Sequence, residues 1–291
     1  MFLKRICFFI LLAGLTCKKE DSEIQTNEGF ESVPIAKPLT PLILDEASGI
    51  ADSKANPGYL WVQQDSGNPN EIALLSHDGI LLKKINIKPA VNRDWEDITT
   101  GNGPVAGANY IYLADIGDNA LAASTYFTYR FTEPASANDT VFNCDKITFQ
   151  YPDGSHDAEA MLVDNTTKDI YIITKQDSRS RIYKISYPQN TNGINIASLS
   201  GSLSFSGVTA SAISADGKEI LIKTYTSIYY WQRNTTQSIE QTLAANPVTL
   251  SSQFEPQGEA ICFKNDNSGF FTLSERPAII ASVNLNFYKR K

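Results

Sequence analysis

The feature that most restricts the fold is a short sequence pattern that occurs five times along the chain. Each copy ends in a large apolar residue, and successive copies lie roughly 50 to 60 residues apart, a spacing typical of repeat architectures. The five copies are Glu46–Ile50, Asp94–Ile98, Asp157–Met161, Thr209–Ile213 and Gln257–Ile261. Their third residues are Ser48, Glu96, Glu159, Ser211 and Glu259. We therefore expect these five positions to be structurally equivalent.

Each copy is followed by further short apolar segments. The second segments are Leu60–Val62, Ile111–Leu113, Tyr171–Ile173, Ile220–Ile222 and Gly269–Phe271. The third segments are Ile72–Leu75, Tyr126–Phe131, Arg181–Ile185, Ile228–Trp231 and Ala278–Val283, and fourth segments are visible at Leu81–Ile87 and Ile147–Tyr151. Asp-Gly turn pairs separate several of them, and no stretch keeps a helical period. The pattern predicts an all-β protein.

Four strands per repeat at this spacing are typical of the blades of a β-propeller. Five blades of four strands fill residues 41–291 as a single domain, and a six-bladed ring would need a further blade hidden between Ile98 and Met161. The last repeat has little sequence left for an outer strand after Leu285. We expect the segment around Ile35 to Leu44 to supply that strand and close the ring.

The N-terminus has the pattern of an export signal. Lys4 and Arg5 precede an apolar stretch that is too short to span a bilayer, so residues 1–16 are predicted to be a signal peptide. The sequence around Cys17, followed by two lysines and two acids, resembles a bacterial lipoprotein signal. That resemblance implies lipidation of Cys17 and anchorage to the outer membrane of the cell envelope. The segment 17–40 is polar and contains two prolines near its end, so we expect a flexible tether there. The alternative is an ordinary cleaved signal with a chance cysteine.

Charge and cysteine content narrow the class of partner. The formal net charge is -7, which argues against nucleic acid because nucleic-acid binding needs a basic surface. The only expected contact with the membrane is through the N-terminal lipid, and the chain is expected to be a monomer.

Cys144 and Cys262 fall in non-adjacent blades, so we expect free thiols. No CxxC spacing is present to indicate zinc or redox chemistry.

Propeller geometry predicts that many acidic residues meet at one mouth of the central funnel. The loops that enter the innermost strands and those that join second to third strands lie on one face. That face should therefore gather Glu46, Asp65, Asn68, Arg93, Asp94, Glu96, Asp115, Asp118, Asn119, His156, Asp157, Glu159, Lys175, Glu259 and Glu275. Close carboxylates raise one another's pKa unless a cation neutralises them. Carboxylate and amide oxygens favour Ca²⁺, with Glu96, Asp115, Asp118, Asn119, Glu159 and Glu259 as candidate ligands.

Structural roles are the alternative for the same residues. Acids on the inner strands could accept hydrogen bonds from backbone amides or pair with Arg93 and Lys175. The stretch from Asp115 to Asn119 could equally form a tight turn, because Gly and Asn tolerate positive φ and Asp caps turns. It does not match a complete EF-hand loop.

Other candidates concern catalysis and ligand contact. His156, beside Asp157, could act as a general base with Glu96 or Asp115, although a lone histidine is more often simply hydrogen-bonded. Arg93, Asp94, Trp95, Asp65, Asn68, Lys175 and Glu275 are candidate ligand-binding residues. Trp95 has the alternative role of packing between blades.

Four motifs resemble those of a group of secreted bacterial β-propellers: Asp65–Asn68, Asp94–Ile98, Ala114–Asn119 and Asp157–Met161. More distantly, they are similar to phytase-like, NHL-type and gluconolactonase/paraoxonase propellers. Calcium-dependent lactonases and esterases in that wider circle hold their metal with Glu, Asn and Asp in the funnel. By position, the resemblance implies Glu96, Asp115, Glu159 and Glu259 as the matching set.

Three functions follow as hypotheses. The first is a lipid-anchored propeller that binds a small molecule or an envelope protein at its funnel mouth, with Ca²⁺ as the candidate cofactor. The second is a calcium-dependent hydrolase of an ester, lactone or phosphoester, in which the metal polarises the substrate oxygen. The third is a purely structural interaction module. Binding ranks first because no nucleophile or catalytic dyad stands out in the sequence.

Overall fold

The repeated apolar segments form short strands in the computed structural model, which describes residues 29–291. Residues 1–28, including the predicted signal and Cys17, lie outside the described residues. In chain order the first strands are β1 (Ile35–Pro38), β2 (Ala47–Asp52), β3 (Tyr59–Gln64), β4 (Glu71–Ser76), β5 (Leu81–Ile87), β6 (Trp95–Asn102), β7 (Asn109–Asp115), β8 (Tyr126–Thr132), β9 (Thr140–Val141), β10 (Asp145–Gln150) and β11 (Ala158–Val163).

The remaining strands continue the same pattern, with one short helix between two of them. They are β12 (Ile170–Thr174), β13 (Arg181–Ile185), β14 (Ile194–Ile196), β15 (Ser198–Ser202), β16 (Val208–Ile213), β17 (Glu219–Thr224), β18 (Ile228–Gln232), α1 (Ile239–Leu243), β19 (Val248–Leu250), β20 (Gly258–Phe263), β21 (Gly269–Ser274) and β22 (Asn284–Lys289). Within residues 29–291, no helix has the length and apolar character needed to cross a bilayer.

The strands form five antiparallel blades arranged in a ring, which confirms the prediction of a five-bladed β-propeller. From the axis outward, the blades are β2-β3-β4-β5, β6-β7-β8-β10, β11-β12-β13-β15, β16-β17-β18-β19 and β20-β21-β22-β1. The innermost strands contact one another in a closed circle, β2 with β6, β6 with β11, β11 with β16, β16 with β20 and β20 with β2. Apolar side chains fill the spaces between adjacent blades, so the core is a set of inter-blade layers.

The N-terminal strand closes the ring, as the sequence predicted. β1 pairs antiparallel with β22, from Ile35 opposite Phe287 to Pro38 opposite Asn284, and thus supplies the outer strand of the last blade. This strand lies within the segment 17–40 that the sequence assigned to a tether. The third strand of that blade is β22, so the prediction of a strand over Ala278–Val283 is wrong. The residues from Glu275 to Val283 form a loop instead, and Pro277 within it has no amide hydrogen for a strand ladder.

The long interval between Ile98 and Met161 contains a connection to the preceding blade, and no sixth blade. Within that interval β9 leaves blade two and pairs in parallel with β5 of blade one. β14 leaves blade three in the same way and pairs in parallel with β10 of blade two. In blade four, α1 occupies the corresponding connection, and its Glu240 accepts hydrogen bonds from blade three. Three successive blades are therefore each tied to the one before.

A β-bulge near the start of every inner strand sets the positions that face the axis. The pairing shifts by one residue in all five strands, which leaves Ser48, Glu96, Glu159, Thr209 and Glu259 as the extra residues. The alignment of blade four was therefore wrong by two residues: Thr209, and not Ser211, is equivalent to Glu159. Thr209 donates to Gly258 O at 3.0 Å, and Ser48 donates to Glu96 O at 2.9 Å.

The two cysteines of the described chain are unpaired, as predicted. Cys262 lies in the core between blades one and five, while Cys144 is half-buried beside the core between blades one and two. Burial raises the pKa of the Cys144 thiol to about 11, so this thiol is protonated at neutral pH and is a poor nucleophile.

Ring closure can be tested at Phe30, which precedes β1. Phe30 is buried and packs edge-on against Phe270 and Tyr230, with ring centroids 5.0 and 5.8 Å apart. Phe30→Ala should lower the free energy of unfolding by about 3–5 kcal/mol, measured by urea denaturation. Val33→Ala is the control, because Val33 is 69% exposed and should change stability by less than about 0.5 kcal/mol. Equal losses in both variants would contradict a closing role for this segment.

Candidate functional site

The acidic residues converge at one end of the ring, which we call the mouth. Each inner strand begins at the mouth and each second strand ends there, because adjacent strands run antiparallel. The residues that follow the second strands are consequently equivalent. They are Asp65, Ile116, Lys175, Tyr225 and Glu275. Together with the bulge residues, they place two rings of side chains around the mouth.

Three carboxylates from blades one and two form the tightest cluster. One oxygen from each of Asp65, Asp94 and Glu96 lies within 4.8 Å of the other two. Within residues 29–291, none of the three forms an ion pair with Lys, Arg or His. Burial, followed by the repulsion of neighbouring acids, raises the pKa of Glu96. Burial also raises the pKa of Asp94, and it raises the pKa of Asp65 to about 6. The cluster therefore attracts either protons or a cation.

Gly117 provides the space in which two of these carboxylates sit. Its amide and that of Ile116 donate to Asp94 O at 3.2 and 3.1 Å, which holds the loop against the cluster. A Cβ at Gly117 would overlap Glu96 Oε1 and Asp94 Oδ2. Glycine is required here by close approach, not by turn conformation.

Asp115 lies next to this cluster and is partly neutralised. Its Oδ1 accepts from Arg93 Nε and from the Asp94 amide, both at 3.2 Å. Arg93 also donates to Thr125 O at 2.9 Å, so its guanidinium is held in place by the protein. The other oxygen, Asp115 Oδ2, is buried without a hydrogen-bond partner among the described residues. Burial raises the pKa of Asp115 to about 6 despite Arg93.

A hydrogen-bonded chain crosses the mouth from blade three to blade five. Lys175 Nζ contacts Glu159 and donates to Tyr225 Oη at 3.1 Å, and Tyr225 in turn donates to Glu259. Burial opposes the charge of Lys175, but Glu159 raises the pKa of Lys175 above its ordinary value, so the lysine stays cationic. Burial and then the adjacent Glu259 raise the pKa of Glu275 to about 9.

Tyr225 and Asp97 were not identified as site residues from the sequence. Tyr225 is equivalent to Lys175, so the repeat alignment could have found it. Asp97 follows the bulge, where the other blades carry only Gly49 or alanine. Its carboxylate accepts from the Met161 and Ile98 amides at 2.8 Å and from the Ser211 amide. Asp97 thus spans the axis beneath the mouth and links blades two, three and four.

His156 does not join the carboxylate cluster. Its Nε2 lies 3.2 Å from Asp153 and 2.9 Å from Tyr183 Oη, and its Nδ1 lies 3.2 Å from Asp177. The ring is also packed edge-on against Tyr151. Both nitrogens are therefore engaged away from Glu96 and Asp115, and the structure does not assemble the predicted general base with those acids.

Asp118 and Asn119 form the turn that was the alternative to a metal site. Asp118 accepts from the Ala122 and Ala123 amides at 2.9 Å and from Tyr126 Oη at 2.7 Å. Burial raises the pKa of Asp118, but these hydrogen bonds outweigh it and lower the pKa. Asn119 is exposed and accepts from Gln176 at 2.9 Å. Neither residue belongs to the three-carboxylate cluster of Asp65, Asp94 and Glu96.

The remaining candidates have structural positions. Trp95 is fully buried and donates to Val91 O at 3.0 Å, so its indole is not exposed at the mouth and has the alternative position between blades. Its indole packs edge-on against Tyr129 in the core between blades one and two. Asn68 donates to Glu46 at 2.5 Å at the edge of the mouth.

Comparison with known proteins gives similarity of fold only. No protein-family model and no curated protein matches the sequence. Among solved structures, the hydrazine synthase of Kuenenia stuttgartiensis is 12% identical with a TM-score of 0.39; the match covers 84% of this chain and 62% of that one. The β-propeller domain of Myceliophteria thermophila Cps50 (Swd1) is 10% identical with a TM-score of 0.43, covering 82% and 83%. A protein from Bacteroides uniformis proposed to be a 6-phosphogluconolactonase is 12% identical with a TM-score of 0.40, covering 87% and 74%.

The raised carboxyl pKa values predict a specific pH dependence of stability. A carboxyl whose pKa is higher in the folded protein holds its proton there, so stability is greatest below the unfolded pKa and falls as pH rises. In EDTA, the free energy of unfolding should therefore fall from about pH 4, the ordinary carboxyl range, towards pH 9. Glu275→Gln should flatten the upper part of that fall, because the pKa of Glu275 is about 9. Urea denaturation at a series of pH values measures both.

The control for this prediction is Asp266→Asn. Partial burial opposes ionisation of Asp266, but Lys264 and Ser268 lower its pKa to about 2. This variant should leave the pH dependence above about pH 5 unchanged, since its carboxyl is ionised throughout that range. If the free energy of unfolding of the unsubstituted protein stays constant or rises between pH 5 and pH 9, the carboxylates of the mouth do not have raised pKa values.

Proposed function

We propose that this protein is a binding propeller whose acidic mouth takes up a cationic group, with Ca²⁺ as the first candidate. The proposal rests on the Asp65, Asp94 and Glu96 cluster, whose oxygens lie within 4.8 Å of one another and which has no ion-pair partner among residues 29–291. Three like charges at this distance repel strongly when the site is partly buried. A bound cation would remove that repulsion.

The donor set suits calcium rather than a transition metal. All three side chains offer carboxylate oxygens, and among the described residues of the cluster there is no cysteine or histidine. Ca²⁺ accepts six to eight oxygen ligands in irregular geometry, whereas zinc and copper prefer nitrogen and sulfur. Asp115 Oδ2, which has no hydrogen-bond partner among the described residues, also supports a ligand at this point.

Binding is favoured over calcium-dependent hydrolysis of an ester, lactone or phosphoester. Hydrolysis needs a group that moves a proton, and His156 is occupied by Asp153, Asp177 and Tyr183. Glu96 and Asp115 would have to supply that function alone. A purely structural module is the third alternative, and it gives no reason for an uncompensated acid cluster.

Metal binding is tested on the chain from residue 17 onward with Cys17→Ser, which carries no lipid. Adding Ca²⁺ after EDTA should raise the melting temperature, because a ligand present at 100 times its Kd adds about 2.7 kcal/mol to stability. Asp94→Asn should abolish most of that rise by removing one charged ligand. Thermal melts of both proteins, with isothermal titration of Ca²⁺, give the measurement.

Asn119→Ala is the matched control, because Asn119 lies at the mouth but outside the cluster. It should keep the calcium response of the unsubstituted protein. If Ca²⁺ does not change the melting temperature of the unsubstituted chain, a calcium site is ruled out. The carboxylates of the cluster would then bind protons or a cationic ligand.

We also propose that the protein is anchored to the bacterial cell envelope through a lipid on Cys17. The basic residues, apolar stretch and cysteine at the N-terminus support this location. Cys17→Ser in the full chain should move the protein from the membrane fraction to the soluble fraction of a Gram-negative host, detected by immunoblot. Retention in the membrane fraction after detergent-free washing would contradict lipid anchorage. Lys18→Ser, which keeps the cysteine, is the control and should stay with the membrane.

A further inference from the structure

Three large apolar side chains stand exposed on neighbouring loops of the mouth. Leu42 is 81% exposed, Phe254 is 73% exposed and Ile279 is 95% exposed. Leu42 lies on the loop that enters β2, Phe254 on the loop that enters β20, and Ile279 on the loop between β21 and β22. We call these three residues the apolar patch. Contiguous exposed apolar surface, unlike single scattered side chains, marks sites that bind other molecules.

The three loops are fixed to one another, so the patch is a defined surface. Arg276 on the Ile279 loop pairs with Asp45 on the Leu42 loop, with Nη2 to Oδ2 at 2.5 Å and the backbone amide to Asp45 O at 2.6 Å. The Glu275 amide donates to Gln257 O at 2.9 Å, and Gln257 Nε2 donates to Glu275 Oε2 at 3.2 Å. Blades one and five thus present the patch together.

Leu42 is held outward in an unfavourable backbone conformation. Its φ is +67°, a region that bulky residues rarely adopt. Its amide donates to Asp45 Oδ1 at 2.9 Å, and Asp45 is the residue that pairs with Arg276. The same ion pair therefore fixes the loop and the leucine, which the fold exposes at a conformational cost.

The loops of the patch also carry part of the acidic mouth. Glu46 lies on the Leu42 loop, and Glu275 begins the Ile279 loop; Glu46, Asp65 and Glu259 all act electrostatically on Glu275. A ligand that covers the patch must therefore meet these carboxylates. Charge complementarity requires it to present a positive group next to apolar groups.

We propose that the apolar patch and the adjacent acids dock a segment of a partner protein that carries a lysine or arginine beside apolar side chains. The apolar side chains cover Leu42, Phe254 and Ile279, and the cationic group enters the mouth towards Glu275 and Asp65. This inference rests on the proposed function, since it takes the mouth as a cation-binding site and names the partner that supplies the cation. A chain of net charge -7 with acids around this face is repelled by anionic lipid, which makes a protein partner the better match than a bilayer.

Phage-displayed random peptides provide the probe. They are selected in EDTA against the chain from residue 17 onward with Cys17→Ser, and in parallel against the same chain with Phe254→Ser or Ile279→Ser. Peptides enriched on the unsubstituted surface should contain Lys or Arg next to large apolar residues. A selected peptide, measured by fluorescence anisotropy at neutral pH, should bind at least 10-fold more weakly to either patch variant and to Asp65→Asn.

Val105→Ser is the matched control. Val105 is 59% exposed but lies on the loop between β6 and β7, at the opposite face of the ring. It should leave peptide affinity unchanged, and thermal melts of all variants establish that they are folded. Enrichment of acidic peptides, no enrichment, or equal binding to the patch variants would overturn the proposal. Sedimentation with phosphatidylethanolamine and phosphatidylglycerol vesicles that depends on Phe254 and Ile279 would overturn it in favour of a lipid surface.

Calcium separates the failure of this inference from the failure of the proposed calcium site. The patch variants should bind Ca²⁺ as the unsubstituted chain does, because the patch side chains are not among its candidate ligands. A selected basic peptide should be displaced by Ca²⁺, since both require the Asp65 carboxylate. Peptide binding in a chain that binds no Ca²⁺ would reject the calcium site and support the docking surface.

Discussion

The pairing of β1 with β22 is the constraint on which the whole ring depends. Within each of the first four blades, the strands are connected locally along the chain. The last blade is different, because its outer strand comes from the other end of the sequence. Residues Ile35–Pro38 therefore join the beginning and the end of the described chain by backbone hydrogen bonds. Without them, blades five and one would be held together only by side-chain packing and a few loop contacts, such as the Asn265 amide donating to Asp52 and the Arg276 amide donating to Asp45 O.

A closed ring makes it feasible to crowd carboxylates at the mouth. Asp65, Asp94 and Glu96 come from two blades whose inner strands are held together by neighbours on both sides. An open arrangement could relax by moving those blades apart, whereas a ring cannot. Asp97 contributes to the same rigidity from below, because its carboxylate receives amides from two other blades. The repulsion at the mouth is thus maintained by packing elsewhere, as expected for a functional site that reduces stability.

The sequence predicted the fold well because its signals are local. Apolar runs and Asp-Gly turns are read within a few residues, and their repetition along the chain fixed the number of blades. It failed where the register of strand pairing decides the outcome. The bulge in blade four places Thr209 at the axis instead of Ser211, and this offset depends on pairing with β17. It also failed for the last blade, where Ala278–Val283 has strand-like composition but forms a loop.

The site was predictable in position more than in detail. Repeat alignment brought Asp65, Asp94, Glu96 and Asp115 to one face, because equivalent positions in a ring must be neighbours. It could not distinguish Asp118, whose oxygens are used by backbone amides, since turns and metal loops share residue types. Trp95 looked available in the sequence, yet the bulge directs Glu96 to the mouth and leaves the indole in the core. Asp97 was overlooked because its partners are amides of other blades, and the residues adjacent to it in the sequence do not indicate a side chain that crosses the axis.

The position of the first described residues gives the molecule a direction. β1 runs towards the mouth, so its beginning lies at the far end of the ring, where Phe30 pairs with Arg290 and the Lys291 amide donates to Gly29 O at 3.0 Å. Both ends of the described chain therefore leave from the face opposite the mouth. A protein held at a surface by the segment before Gly29 would turn its acidic mouth and its exposed leucine, phenylalanine and isoleucine away from that surface. It would then meet molecules arriving from the surrounding compartment rather than those embedded beneath it.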